Sequence, residues 1–179
     1  QYFAGGNTSI SIKQSGRFWN ENIEFVKTSK EILKGLHIIA TSSPYMGYFS
    51  CYPGKSFVEG QFDQNHDACK NTNLPELSLS MRTEKGQILI AGCSHTGIEN
   101  IVKQTQIVTK DKIELAYGGF HMLPFNRKQT NELVRILKDD LKVHRVAPAH
   151  CTGHLAFKLL RDTYKDDYVF AGLGETISF

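Results

Sequence analysis

No apolar run in this sequence approaches the ~20 residues that a membrane-spanning helix needs. A signal-peptide pattern is missing too, so no membrane association is expected. Blocks of like charge are also absent. The 21 Lys and Arg are scattered among 18 Asp and Glu, leaving a net charge of +3. A nucleic-acid surface normally shows as a basic stripe, so no nucleic-acid partner is expected. Cysteine is sparse, with four in 179 residues, too few for a dense disulfide scaffold. A reducing, cytoplasmic setting is the expectation. No repeat of solenoid period is present. Methionine is lacking at the first position, which is Gln1, so a fragment or processed form is expected.

What is there reads as a globular chain. Hydrophobic residues make up 40% and charged residues 22%, both ordinary for such a domain. The length accommodates one domain with a core, or part of a larger one. "TSISIK" (Thr8 to Lys13) alternates as a strand, a helical piece is expected near Ser29 to Lys34 closed by Gly35, and "LHIIAT" (Leu36 to Thr41) is a second strand. From 43 to 76 the chain turns rich in Pro, Gly and aromatic residues, and reads as a long loop that covers something. After it an α/β rhythm sets in. Strands are expected at "LSLSMRT", "ILIAG", "KIELAYGG" and "VHRVAPA", helices at "TGIENIVKQTQ", "RKQTNELVRILKDDL" and "GHLAFKLLRDTY", and a closing hairpin at "DYVFAGLGETISF".

Two strand ends draw attention. "QILIAGCSHTGIENIV" (Gln87 to Val102) and "RVAPAHCTGHLAF" (Arg145 to Phe157) both run from an apolar strand into a His-, Cys- and Thr-bearing turn, then into a helix. In α/β proteins ligands gather at such strand ends. His95 and His150 are therefore candidate metal ligands, since imidazole suits zinc and iron. Cys93 offers a thiolate in the same place, although most free cysteines are small buried hydrophobes. Cys151, directly after His150, is expected to point elsewhere. "GGFHM" adds His121, whose two preceding glycines allow a close backbone approach to a ligand. Thr96 and Thr152 read as N-caps at helix starts that could also receive an anionic substrate group.

Taken together, "ILIAGCSHTGIENIV", "AYGGFHM" and "VAPAHCTGHLAFKLL", in that order and with the ending "GLGETISF", resemble the C-terminal part of a metallo-β-lactamase-fold protein. The nearest subgroup is that of dihydropterin ribofuranosyl-aminobenzene phosphate synthase-like hydrolases. The resemblance implies an α/β fold, an αββα sandwich, as a single partial domain over 1–179 that lacks its N-terminal part. It implies that His150 is the last metal-binding His and that Cys93 stands at the metal-bridging position. It further implies that His95 lines or completes the site and that His121 belongs to the subgroup's Gly-Gly-x-His motif; His121, with Thr96 and Thr152 at the helix starts, is a candidate for substrate binding. A divalent metal is implied, zinc first, with iron or manganese as alternatives. The implied activity is that of a hydrolase or transferase acting through metal-activated water on a small, anionic or phosphate-bearing molecule. The superfamily's His-x-His-x-Asp-His string is absent from this sequence. Half a metal site is therefore expected, with a missing N-terminal half or a partner chain covering an exposed sheet face. The alternative is a non-catalytic binding or assembly module.

Overall fold

The computed structural model describes residues 15–43 and 74–178. The strand expected at Thr8–Lys13, and most of the aromatic-rich stretch at 43–76 with Cys51 and Cys69, lie outside the described residues. Six strands form one sheet in chain order. They are β1 (Lys30–Leu33), β2 (Leu36–Ser43), β3 (Leu74–Thr83), β4 (Gly86–Ala91), β5 (Ile113–Gly119) and β6 (Arg145–Ala149). β1 to β4 pair antiparallel, whereas β4, β5 and β6 run parallel. Parallel neighbours need long crossovers. These carry α2 (Ile98–Thr109) between β4 and β5, and α3 (Arg127–Arg135) between β5 and β6. Helix α4 (His154–Tyr164) follows β6, and a short exposed α1 (Arg17–Asn22) precedes β1.

The local chemistry explains the elements. Helix α3 starts with a capping box, in which Asn126 accepts from the Gln129 backbone N–H and the Gln129 side chain accepts from that of Asn126. It then widens into a π-helical turn over Ile136–Asp140, where Leu137 remains buried. One face of the sheet and the three long helices enclose the core, including Leu89, Ile98, Ile113, Phe120, Leu137 and Leu160. Strand β4 is buried along most of its length, hence its unbroken apolar run.

Three expectations are corrected. The piece near Ser29–Lys34 is strand β1, and Gly35, at φ 79°, closes a tight hairpin where Leu33 faces Leu36. A terminal glycine serves a helix C-cap and a two-residue hairpin equally well, which is why the sequence misleads. Ser43, Leu74, Pro75 and Glu76, expected in the long loop, belong to β2 and β3. The closing hairpin does not form. Among the described residues from Tyr168 onward a single bridge forms, between Tyr168 and Val146, and Val169, Ala171 and Ile177 fold over the far sheet face. They cover Ile88, Leu115 and Ala147. Further along that face, Leu77, Met81 and Ile90 are 48%, 41% and 36% exposed. No described helix is long and apolar enough to cross a membrane.

Candidate metal centre

Because β4, β5 and β6 are parallel neighbours, their C-terminal ends lie along one edge, and each ends in a turn carrying chemistry. The turns are Gly92–His95, Phe120–His121 and His150–Thr152. Each contains a non-glycine residue in the left-handed region: Ser94 at φ 61°, His121 at φ 47° and His150 at φ 47°. Such backbone is uphill and persists only where the surroundings fix it.

A closed ring of hydrogen bonds fixes it here. Ser94 Oγ donates to the Gly119 carbonyl at 2.6 Å, and the Gly119 N–H donates to the Gly92 carbonyl at 2.8 Å. The Phe120 N–H donates to Thr152 Oγ1 at 3.2 Å, and that hydroxyl donates to the Ala149 carbonyl at 2.6 Å. Cys151 Sγ completes the ring, donating to the Cys93 carbonyl at 3.2 Å. Thr152 is thus an internal tie. Neither it nor Thr96 is an N-cap, since Gly97 and Gly153 hold those positions.

The glycine pair before His121 lets the strand ends approach one another. A Cβ on Gly118 would stand 2.0 Å from the Ala91 carbonyl oxygen. One on Gly119 would meet the Gly92 carbonyl oxygen at 2.8 Å and Cys151 Sγ at 2.9 Å. The close approach is therefore made to the neighbouring turns.

The ligand atoms of Cys93, His150 and Cys151 all lie within 4.8 Å of one another. In a tetrahedral zinc site, bonds of about 2.0–2.3 Å separate neighbouring ligand atoms by roughly 3.3–3.8 Å. Two thiols and an imidazole at these separations fit a soft-to-borderline divalent metal such as zinc. Cys151, expected to point elsewhere, belongs to this group. Burial first, and the neighbouring Cys93 second, push the Cys151 thiol up to about 12. A divalent cation held by these residues would reverse that balance, because a coordinating thiol is deprotonated.

His95 and His121 stand beside the group. Their rings meet edge to face with centroids 4.7 Å apart. Burial, reinforced by His95 and His150, lowers His121 to about 4, so its imidazole is neutral near pH 7. His95 Nδ1 lies 4.0 Å from Glu76 Oε1.

Glu76 is the residue that sequence reasoning missed. Its Oε2 accepts from both the Thr96 N–H and the Thr96 hydroxyl, each at 3.0 Å. Thr41 on β2 adds a hydroxyl 2.8 Å from that of Thr96. The His95–Thr96 turn is thereby tied to β2 and β3. The alternation from Leu77 to Met81, extended two residues back, was the signal that would have placed Glu76 on a strand. Glu76→Ala leaves two buried donors of Thr96 without their acceptor, and should lower stability by about 2 kcal/mol. Urea unfolding measures this, with Glu76→Gln expected to lose less.

No protein-family profile matches the chain. Over 105 residues it is 33% identical to the 7,8-dihydropterin-6-methyl-4-(β-D-ribofuranosyl)-aminobenzene-5'-phosphate synthase of Methanocaldococcus jannaschii, covering 58% of this chain and 35% of that protein. Over 90 residues it is 33% identical to an uncharacterized protein of the same organism, covering 50% of this chain and 33% of the other. The chain therefore spans about a third of the length of the curated relatives it matches. A crystal structure of a metal-dependent hydrolase of the β-lactamase superfamily superposes with a TM-score of 0.58 at 24% identity. That match covers 79% of this chain and 52% of the other. The chain has the metallo-β-lactamase fold that its three strand-end motifs resemble.

Proposed function

We propose that this chain supplies Cys93, His150 and Cys151 to a divalent-metal centre, zinc first, in a hydrolase or transferase acting on a small anionic substrate. The observation that carries the reading is the meeting of these three ligand atoms within 4.8 Å, on turns held in uphill backbone conformations. Two thiols and one imidazole leave a fourth position open, the pattern of catalytic zinc sites. A metal ion bound there contributes Lewis acidity and lowers the pKa of water.

The chain's own residues do the rest. Cys93 and Cys151 sit half-buried beneath the edge, whereas His150 is exposed and marks the side from which substrate approaches. The hydrogen bonds through Ser94, Gly119 and Thr152 tie together the turns that carry the three ligands. His95, positioned by the Thr96–Glu76 tie, and buried His121 wall the inner side of the site.

The test is turnover of 4-nitrophenyl acetate and 4-nitrophenyl phosphate by the zinc-loaded chain. Chelator-sensitive hydrolysis of at least one, restored by zinc and lost in His150→Ala, is the expected result. Turnover indifferent to both chelator and His150→Ala would overturn the reading. Full zinc loading with no turnover would favour the non-catalytic module.

A further inference from the structure

Strands β4 and β6 are not neighbours, since β5 runs between them. Strands pair at about 4.8 Å, so residues at the ends of β4 and β6 ordinarily stand about 10 Å apart. Cys93 and Cys151, each two residues past its strand, escape that rule. Their sulfurs lie within 4.8 Å of each other, and Cys151 Sγ is 3.2 Å from the Cys93 carbonyl oxygen. Two features bring this about. His150, at φ 47°, opens a 3₁₀ turn that brings Cys151 back over the end of β5. Gly119, the last residue of β5, puts no side chain in the way. A Cβ there would stand 2.9 Å from Cys151 Sγ and 3.2 Å from Cys93 Cα. The two thiols therefore meet across a bare strand end.

Both cysteines are free and half-buried, within reach of a small oxidant. A disulfide joins sulfurs at about 2.05 Å, so closing one here takes a sulfur movement of under about 3 Å. Where disulfides form in reducing compartments, they are ordinarily transient and redox-sensing.

We propose that Cys93 and Cys151 form a reversible oxidation site, joined as a disulfide by a peroxide and unable in that state to hold a metal ion. The Cys151 S–H is engaged with the Cys93 carbonyl, so the Cys93 sulfur reacts first. It attacks the peroxide, the O–O bond breaks, and a sulfenic acid and one water result. The Cys151 sulfur then attacks the Cys93 sulfur. The S–S bond forms, the S–O bond breaks, and the leaving hydroxyl takes the Cys151 proton as a second water. Two thiols are oxidised and one hydrogen peroxide is reduced to two waters. The bridge rests on the sulfur geometry alone, whereas its opposition to metal rests on the metal-centre reading. Zinc takes separate thiolates roughly 3.3–3.8 Å apart. Bonded sulfurs carry no thiolate charge, so of the three ligands oxidation leaves His150. A dithiol reductant reverses the change by exchange.

The test is hydrogen peroxide added to the purified chain, metal-free and zinc-loaded, followed by trypsin without reductant and mass spectrometry. The expected product is lighter by two hydrogens, with peptide 86–103, which carries Cys93, joined to peptide 146–158, which carries Cys151. Dithiothreitol should separate them. The linked peptide should persist in the Cys51→Ser/Cys69→Ser variant and vanish in Cys93→Ser and in Cys151→Ser. Circular dichroism melts like those of the unaltered chain show that these variants remain folded. The zinc-loaded chain should release one ion per bridge formed, read with a colorimetric zinc indicator, and take it up again after reduction. Sulfinic acid without the linked peptide, or a bridge drawn from Cys51 or Cys69 instead, would overturn the proposal. So would a bridged chain that keeps its zinc. A bridge in a chain that never binds zinc would support the oxidation site and remove the metal-centre reading. Zinc held through the sulfurs with no bridge under peroxide would do the reverse.

Discussion

Replacing His150 with alanine will reduce the zinc retained by the purified chain at least about tenfold. Three protein ligands are the fewest that the catalytic sites of this metal ordinarily use. With His150 gone, two half-buried sulfurs remain, with the imidazoles of His95 and His121 beside them. His121 is buried and its ring packs on His95, so it cannot swing outward without disturbing the turn that carries it. Cys93→Ala and Cys151→Ala should lower zinc similarly. His144→Ala is the matched control. It stands elsewhere, between Glu114 at 3.0 Å and Asp167 at 3.6 Å, and its loss should leave the metal content unchanged. Elemental analysis after exhaustive dialysis reads all four variants.

The second large effect concerns Gly118. A methyl group at this position stands 2.0 Å from the Ala91 carbonyl oxygen, and the backbone lies at φ 128°, where side chains are seldom tolerated. Neither problem can be solved by a rotamer change, because the obstacle is the backbone of the neighbouring strand β4. Gly118→Ala should therefore destabilise by about 4 kcal/mol or prevent folding. Gly92→Ala serves as the comparison, since a Cβ there meets nothing within 4 Å. It should change stability by less than about 1 kcal/mol. Urea denaturation of the two variants gives the contrast.

Much of this arrangement can be read from the chain. Apolar runs such as "ILIAG" and "RVAPA" announce strands, and each stops at residues that no buried strand would carry. That Cys93 and His150 stand along one edge of the sheet, at the ends of β4 and β6 with β5 between them, follows once the three strands are parallel. Cys151 resisted the same reasoning for a specific reason. In an extended strand, adjacent side chains point to opposite faces, and His150–Cys151 looks like such a pair. His150 instead sits at φ 47° and opens a 3₁₀ turn, so both side chains reach the same centre. A left-handed non-glycine residue leaves almost no trace in sequence.

Glu76 was hidden differently. Its proline neighbour and the aromatic stretch before it mask the start of β3, and its partner Thr96 lies 20 positions away. The glycine pair was legible as a demand for space, but the sequence could not tell whether a ligand or a neighbouring strand needed it. The Ala91 carbonyl supplies the answer. At the tail, apolar residues alternating up to Gly172 imitate a hairpin, yet Val169, Ala171 and Ile177 are drawn onto the far sheet face by its uncovered apolar residues.

The central claim is that two thiolates and one imidazole share a single metal ion. Cobalt(II) titration of the metal-free chain tests it most directly, because thiolate ligation gives an intense charge-transfer absorption in the near ultraviolet that nitrogen and oxygen ligands do not. A saturable band at one equivalent, weakened by roughly half in Cys93→Ser and in Cys151→Ser, is the result this account predicts. Cobalt binding without that band, or a band untouched by losing Cys151, would contradict it.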